Sequence, residues 1–114
     1  IRIIHNELTL RMMQRSGDTP VGVPSNMVQY GALTLMLAHV TGTEPYEYIH
    51  TISDAHIFVD QIPAVETMLS REARPLATVT LNTEKKNLFD FRKEDFILSD
   101  YTPHPGIAGI PVAI

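Results

Sequence analysis

The spacing of hydrophobic and polar positions predicts strands at the start of the chain. Residues Ile1 to Met13 alternate loosely and include many β-branched side chains. This pattern predicts a strand pair, or one long strand bent at His5-Asn6. A loop rich in glycine and proline is predicted from Gly17 to Pro24. Ser25 or Asn26 is then the candidate N-cap of a helix.

The predicted helix is hydrophobic on nearly every side. It runs to about Val40, and Thr41-Gly42 supplies the expected end signal. We therefore expect this helix to be buried in the middle of the fold. The hydrophobic run Met27 to Val40 is too short to span a bilayer and is interrupted by Gln29 and Thr34.

An alternating pattern of side chains, typical of a strand, begins again after Pro45. Residues Tyr46 to Val59 read as one extended segment, with every second residue on a common face. The residues predicted on that face are Tyr48, His50, Ile52, Asp54, His56 and Phe58.

The remaining pattern predicts one more helix and two more strands. Gln61 to Arg71 has helical spacing, and its predicted buried residues are Ile62, Val65, Met68 and Leu69. Val79 and Leu81 mark one strand and Ile97 the next, separated by the charged turn 84–87. From Pro103 onward we predict no regular structure. The fold class is therefore α+β, with residues 1–114 forming one unit.

Composition narrows the possible partners. The chain has 114 residues, of which 44% are hydrophobic, and a formal charge of −4. This balance argues against a general nucleic-acid or membrane-surface protein. The absence of cysteine excludes disulfides and thiolate-bound metals in these residues, and it fits a cytoplasmic protein. None of the five histidines has metal-ligand spacing, so we predict no metal.

Two short segments carry the candidate chemistry. The first is Gln14-Arg15-Ser16-Gly17-Asp18 and the second is Gly22-Val23-Pro24-Ser25-Asn26. The planar guanidinium of Arg15 suits a phosphate, and Ser16 can add a hydroxyl donor. The carboxamide of Asn26 presents an acceptor beside a donor, which suits the edge of a pyrimidine. Arg15 could instead pair with a nearby acid, and Asn26 could simply cap the helix.

These segments resemble thymidylate synthase when taken together with three later ones. The later segments are Asp54-Ala55-His56-Ile57-Phe58, Ser70-Arg71-Glu72-Ala73-Arg74-Pro75 and Tyr101-Thr102-Pro103-His104-Pro105-Gly106. Their order and approximate spacing are similar to those of the C-terminal part of that family, down to Pro111-Val112-Ala113-Ile114. The resemblance implies part of a large twisted sheet with flanking helices, paired back to back in a homodimer.

The resemblance also implies a reaction, the reductive methylation of dUMP to dTMP with 5,10-methylenetetrahydrofolate. The substrate residues it implies are Arg15 and Ser16 at the phosphate, Asn26 at the base, and His56 and Phe58 at the sugar 3′-hydroxyl. It places Asp18 at the pterin ring, the backbone of Gly22 against the ligands, and Ile114 in a closing C-terminal tail. Without the resemblance, Asp18 reads as a turn residue and His56 as a packed histidine.

The family's nucleophilic cysteine is absent from these residues. Because Ile1-Arg2-Ile3-Ile4 resembles the middle of a strand, we expect the cysteine upstream of Ile1 and no turnover by this chain alone. In the family pattern Phe58 stands in place of tyrosine, Ser25 in place of an aromatic residue and Ser53 in place of glycine. These departures leave two alternatives open, a pyrimidine-nucleotide hydroxymethylase and a non-catalytic nucleotide-binding or dimerisation fragment.

Overall fold

The computed structural model describes residues 1–82 and 84–112, and it has a mixed α+β architecture. The main sheet has three strands in the order β1 (Arg2–Ile4), β2 (Glu7–Asp18) and β3 (Glu44–His56). Strands β1 and β2 are antiparallel, whereas β2 and β3 are parallel. The predicted α+β class is confirmed.

The turn between β1 and β2 is the predicted bend at His5-Asn6. Both residues have positive φ, 51° at His5 and 68° at Asn6. Two consecutive positive φ values are the signature of the type I′ turn, whose twist matches that of antiparallel strands. The strand-pair prediction is therefore confirmed, although β2 continues to Asp18, well beyond Met13.

Helix α1 (Gly22–Thr41) connects the two parallel strands, as a parallel pair requires. The prediction that Ser25 or Asn26 caps it was wrong, because the helix begins at Gly22 after Val21 and has no side-chain cap. Pro24 lies in the first turn, where a missing N–H removes no helical hydrogen bond. The predicted loop from Gly17 to Pro24 is accordingly only the turn at residues 19–21.

The end of α1 agrees with the sequence. Gly42 has a φ of 67°, in the left-handed region. The N–H of Gly42 donates to the carbonyl of His39 at 3.2 Å, and that of Thr43 donates to Ala38 at 2.9 Å. This pair of bonds is the Schellman motif, which satisfies the last carbonyls of the helix.

The core lies between α1 and one face of the main sheet. Leu8, Leu10 and Ala38 are buried there, and these five residues pack against them: Met12, Tyr30, Leu33, Leu37 and Tyr48. The expectation that α1 is buried on all sides was wrong, because Met27 is 50% exposed and Val28 73%. The sheet covers only one side of the helix.

Strand β3 begins at Glu44, so Pro45 lies inside it and not before it. The ladder with β2 slips at this point, from Leu8 opposite Pro45 to Thr9 opposite Glu47. Proline has no N–H to give to a ladder, so an irregularity is expected here. Beyond the slip, alternate residues from Tyr48 to His56 share a face as predicted, but Phe58 lies past the end of the strand.

The second half of the chain forms smaller elements. A 3₁₀ turn (Val59–Gln61) leads into α2 (Ile62–Leu69). The predicted buried side of α2 is wrong at Ile62 and Leu69, which are 45% and 80% exposed, while Val65 and Met68 are half-buried. Strands β4 (Thr78–Leu81) and β5 (Phe96–Ser99) form an antiparallel pair at the predicted positions.

An open groove of about 820 Å³ separates α1 from this second sheet. Its lining includes Val28, Ala32, Leu35, Tyr46, Phe96 and Leu98. Within residues 1–82 and 84–112, neither helix combines the length and hydrophobicity needed to cross a membrane.

Tyr48 generates a first prediction. Its ring stacks on Tyr30 at a centroid distance of 6.2 Å, and its hydroxyl is buried without a hydrogen-bond partner in the described residues. A buried unsatisfied hydroxyl costs free energy, so Tyr48→Phe is expected to raise the free energy of unfolding by about 1 kcal/mol. Urea unfolding measures the change. Tyr46→Phe, at a side chain that is 64% exposed, is the matched control and should change nothing.

The pH dependence of the same pair checks the cause. Burial, and secondarily the charge of Tyr30, raise the pKa of Tyr48 above its usual 10.0. A raised pKa in the folded state gives stability that is complete below the usual pKa and is lost as pH rises through the folded value. Tyr48→Phe should therefore lose less stability than the wild type above pH 10.0. Identical alkaline slopes would contradict this account of the hydroxyl.

Gly17 generates a second prediction. It is buried where β2 approaches the start of α1, and a Cβ added there would lie 2.8 Å from Cγ2 of Val23 and 3.4 Å from Cγ2 of Ile52. Both neighbours are stiff β-branched side chains. We expect Gly17→Ala to lower the free energy of unfolding by about 1–3 kcal/mol through overpacking.

The control for Gly17 is Gly31→Ala, in the middle of α1. An added Cβ at Gly31 meets nothing within 4 Å. Replacing a glycine inside a helix with alanine stabilises by roughly 0.5–1 kcal/mol, so this variant should be more stable than the wild type. Opposite signs in urea unfolding are the expected result, and stabilisation by Gly17→Ala would show that the approach at Val23 is not tight.

Candidate functional site

The candidate residues meet where β2 and β3 end together. The parallel ladder places Ser16 opposite Asp54 and Asp18 opposite His56. The N–H of Thr19 then donates to the carbonyl of His56 at 2.9 Å, which extends the pairing past the strand ends. Since α1 begins three residues later, at Gly22, its first turn lies at the same edge. The carboxyl edge of parallel strands is where α/β proteins usually bind ligands.

Ser16, Asp54 and His56 form a polar cluster at this edge. The hydroxyl of Ser16 lies 3.4 Å from Oδ2 of Asp54 and 3.5 Å from Nδ1 of His56. The same Nδ1 lies 3.7 Å from Oδ2 of Asp54. A catalytic serine needs the two histidine nitrogens to serve different partners, whereas here one nitrogen faces both. The cluster therefore suits binding of a polar group better than attack by serine.

Asn26 is held by a second set of hydrogen bonds. Nε2 of Gln14 donates to Oδ1 of Asn26 at 3.0 Å and to the carbonyl of Ser16 at 2.8 Å. Oε1 of Gln14 lies 2.8 Å from Nε2 of His50. Because an amide oxygen can only accept, the hydrogen of this last bond is on His50. These contacts fix which end of the Asn26 carboxamide faces Gln14, and they leave both of its amide protons for other partners.

Asp18 lies beside a fully buried glutamine. Nε2 of Gln61 donates to Oδ2 of Asp18 at 3.0 Å and to the carbonyl of Pro111 at 2.7 Å. Oε1 of Gln61 accepts from the N–H of Phe58 at 2.9 Å. The other oxygen of Asp18, Oδ1, is buried and has no hydrogen-bond partner among residues 1–82 and 84–112. Such an acceptor is costly unless a donor reaches it, so its environment suits an N–H or O–H group of a ligand.

The other predicted site residues are more loosely placed. Arg15 is exposed, and within the described residues no hydrogen bond or ion pair engages its guanidinium. Phe58 packs edge-on against His56, with ring centroids 4.9 Å apart. Gly22 has room for a Cβ, whose nearest neighbour would be Cβ of Asp18 at 3.6 Å, so the protein alone does not require glycine there. Ile114 lies outside the described residues.

Sequence reasoning missed the two glutamines. Gln14 shares its strand face with Ser16, and His50 was already predicted on the facing strand, so this alternation was the available signal. Gln61 gave none, because its position next to Asp18 depends on the turn after β3 and on the tail at Pro111. Within the described part of the chain, no group of three or more histidine or acidic side chains could hold a metal ion.

Comparison with known families covers the whole chain. The family model for thymidylate synthase matches residues 1–114. The chain therefore belongs to the thymidylate synthase family.

Proposed function

From this membership, we propose that the site holds dUMP and 5,10-methylenetetrahydrofolate for the reductive methylation of dUMP to dTMP. The observation that carries the proposal is the fixed carboxamide of Asn26, which Gln14 holds at 3.0 Å beside the Ser16 cluster. It combines a base-reading amide with hydroxyl and imidazole groups at one strand edge. That set of groups matches a pyrimidine, a sugar and a phosphate.

Asn26 reads the base. Uracil presents its O4 acceptor next to its N3–H donor, and a carboxamide can pair with both at once. Gln14 takes one lone pair of Oδ1, which leaves the second lone pair for N3–H and the amide protons for O4. Cytosine reverses this donor and acceptor order. As charge develops on O4 during attack at C6, the amide of Asn26 also stabilises it.

The sugar phosphate lies over the strand ends in this proposal. The exposed guanidinium of Arg15 and the hydroxyl of Ser16 bind the phosphate. The side chain of His56 is 30% exposed, and it donates to or accepts from the sugar 3′-hydroxyl. Asp54 and Ser16 flank the Nδ1 atom of His56 and limit how its ring can turn. Phe58 packs on this ring but offers the sugar no hydrogen bond.

The folate lies on the other side of the site. Oδ1 of Asp18 is buried and has no hydrogen-bond partner in the described part of the chain, so it can accept from a ring N–H group of a pterin. When bound, the folate supplies the one-carbon unit and the hydride. Gly22 gives the ligands a side chain-free approach to the start of α1, and Ile114 closes the tail over them and excludes water.

The nucleophile comes from outside these residues. Attack at C6 of dUMP needs a thiolate, and the 114 residues contain no cysteine. We place that cysteine outside residues 1–114, in a cytoplasmic homodimeric methyltransferase of which these residues form a part. The purified chain alone should therefore release no tritium from C5-labelled dUMP.

Phe58 favours one alternative of the same family, a pyrimidine-nucleotide hydroxymethylase. The ring of Phe58, which packs against His56, carries no hydroxyl, and this changes the sugar side of the site. The alternative keeps the same base, phosphate and folate residues and differs in the last step. Product analysis of the cysteine-containing protein separates the two, since it yields either a methyl or a hydroxymethyl group.

Nucleotide selectivity tests the proposed function. Titration of the isotope-labelled chain, followed by NMR, should show dUMP binding at least about 30-fold tighter than dCMP, because two mismatched hydrogen bonds each cost about 1–3 kcal/mol. Asn26→Asp should weaken dUMP by a similar factor, since a carboxylate cannot donate to O4. The same variant should still bind dCMP, because the exocyclic amine of cytosine can donate to the new carboxylate.

Ser25→Ala is the matched control for Asn26. Its hydroxyl donates to the carbonyl of Val21 at 3.2 Å on the exposed side of the helix, so its loss should leave both affinities within about twofold. Equal affinity of the wild type for dUMP, dCMP and UMP would overturn the proposal. No binding of any nucleotide, by a folded chain, would leave the dimerisation-fragment reading in its place.

Phe58 gives a further prediction. Phe58→Tyr adds a hydroxyl next to His56 and should tighten dUMP binding by about 0.5–1.5 kcal/mol through one hydrogen bond to the 3′-oxygen. The 2′,3′-dideoxy analogue of dUMP lacks that oxygen and is the control ligand, for which the variant should gain nothing. An equal gain for both ligands would show that the effect is packing and not a bond to the sugar.

A further inference from the structure

Among the described residues, Gln61 is the most completely buried polar side chain that the proposed reaction leaves without a role. Its exposed fraction is 0%, yet it lies between three separate segments. It bonds the end of β2 at Asp18, the 3₁₀ turn at the N–H of Phe58, and the C-terminal tail at the carbonyl of Pro111. Both its amide nitrogen and its amide oxygen are hydrogen-bonded, so Gln61 links these three segments and does more than fill space in the interior.

The chemistry of the amide explains how the connection works. Nε2 of Gln61 carries two protons and donates one to Oδ2 of Asp18 and the other to the carbonyl of Pro111, with N···O distances of 3.0 Å and 2.7 Å. Since the amide is neutral at all pH, it holds the carboxylate without neutralising it. Oδ2 of Asp18 is thereby occupied, and Oδ1 is left as the oxygen that can accept from a ligand.

We propose that Gln61 is a positioning residue for the folate, coupling the orientation of Asp18 to docking of the tail at residues 107–112. The proposal rests on the proposed function in its folate part, because Asp18 is the folate acceptor there. The coupling works in both directions. A tail that is docked on Gln61 presents Asp18 correctly, and a ligand on Asp18 strengthens docking of the tail.

The first experiment uses the unliganded chain and needs no folate. Hydrogen exchange followed by NMR should show slowed exchange of both side-chain amide protons of Gln61. Gln61→Met, similar in length but without donors, should lower the backbone order parameters of the tail amides between Ile107 and Val112, because the carbonyl of Pro111 is no longer held. Gln29→Met makes the same chemical change on the exposed side of α1 and should leave the tail unchanged.

The second experiment measures ligand affinities by calorimetry. With dUMP present, Gln61→Met should weaken tetrahydrofolate binding about tenfold while the affinity for dUMP stays within twofold. A general loss of structure would weaken both ligands, so the difference between them is the informative readout. Gln61→Asn keeps the amide but is one methylene shorter, so it cannot reach both partners and should behave like Gln61→Met.

A double-mutant cycle tests the route through Asp18. If Gln61 acts by orienting this carboxylate, then in an Asp18→Asn background Gln61→Met should have no further effect on tetrahydrofolate binding. Fully additive losses would overturn the positioning role. The side-chain proton exchange of Gln61 is measured on the wild type, so it tests the connection even where a variant fails to fold.

The outcomes separate this inference from the proposed function. Fast exchange of the Gln61 amide protons, or unchanged order parameters of the tail in Gln61→Met, would overturn the connection whatever the ligand. A wild type that has the slow exchange but does not bind tetrahydrofolate would overturn the folate assignment of Asp18 and leave Gln61 as the anchor of the tail. Unchanged tetrahydrofolate affinity in Gln61→Met would overturn the positioning role alone.

Discussion

The register between the parallel strands β2 and β3 is the constraint on which the rest of the structure depends. It pairs Ser16 with Asp54 and Asp18 with His56 at the strand ends. A slip of one residue would turn every side chain of one strand to the opposite face, which would bury polar groups in the core and expose Leu8 and Leu10. The hydrophobic core between α1 and the sheet therefore also sets the geometry of the site.

At the carboxyl edge of the parallel strands, neutral amide side chains hold the candidate site residues in place. Gln14 orients Asn26, and Gln61 orients Asp18. A charged side chain in either place would bring its own desolvation cost and shift the ionisation of its neighbours. An amide can saturate a buried acceptor while leaving the charge and the second oxygen of Asp18 available. In the proposed function, the two glutamines therefore serve opposite halves of one site, the base half and the folate half.

The sequence predicted what local chemistry determines and missed what depends on distant contacts. The turn at His5-Asn6 and the end of α1 at Gly42 follow from backbone preferences, and both were found. The start of α1 was placed four or five residues late because Ser25 and Asn26 are good caps, yet Val21 precedes the helix without a side-chain cap. Val23, in the first turn of the helix, instead lies close to Gly17 at the end of β2, a tertiary contact that the local sequence does not show.

The same distinction applies to the site. Ser16, Asp18, Asn26 and His56 were recognised as candidates from their chemistry and their family pattern, and three of them lie on the paired strand ends. Gln61 could not be recognised, because nothing in its local sequence shows that the tail returns to it fifty residues later at Pro111. Closure of that long loop costs entropy, and the hydrogen bond from the buried amide of Gln61 to the carbonyl of Pro111 makes the return specific. A residue such as Gln61, which joins two distant parts of the chain, therefore has no signal in the local sequence pattern and is found only from the packed structure.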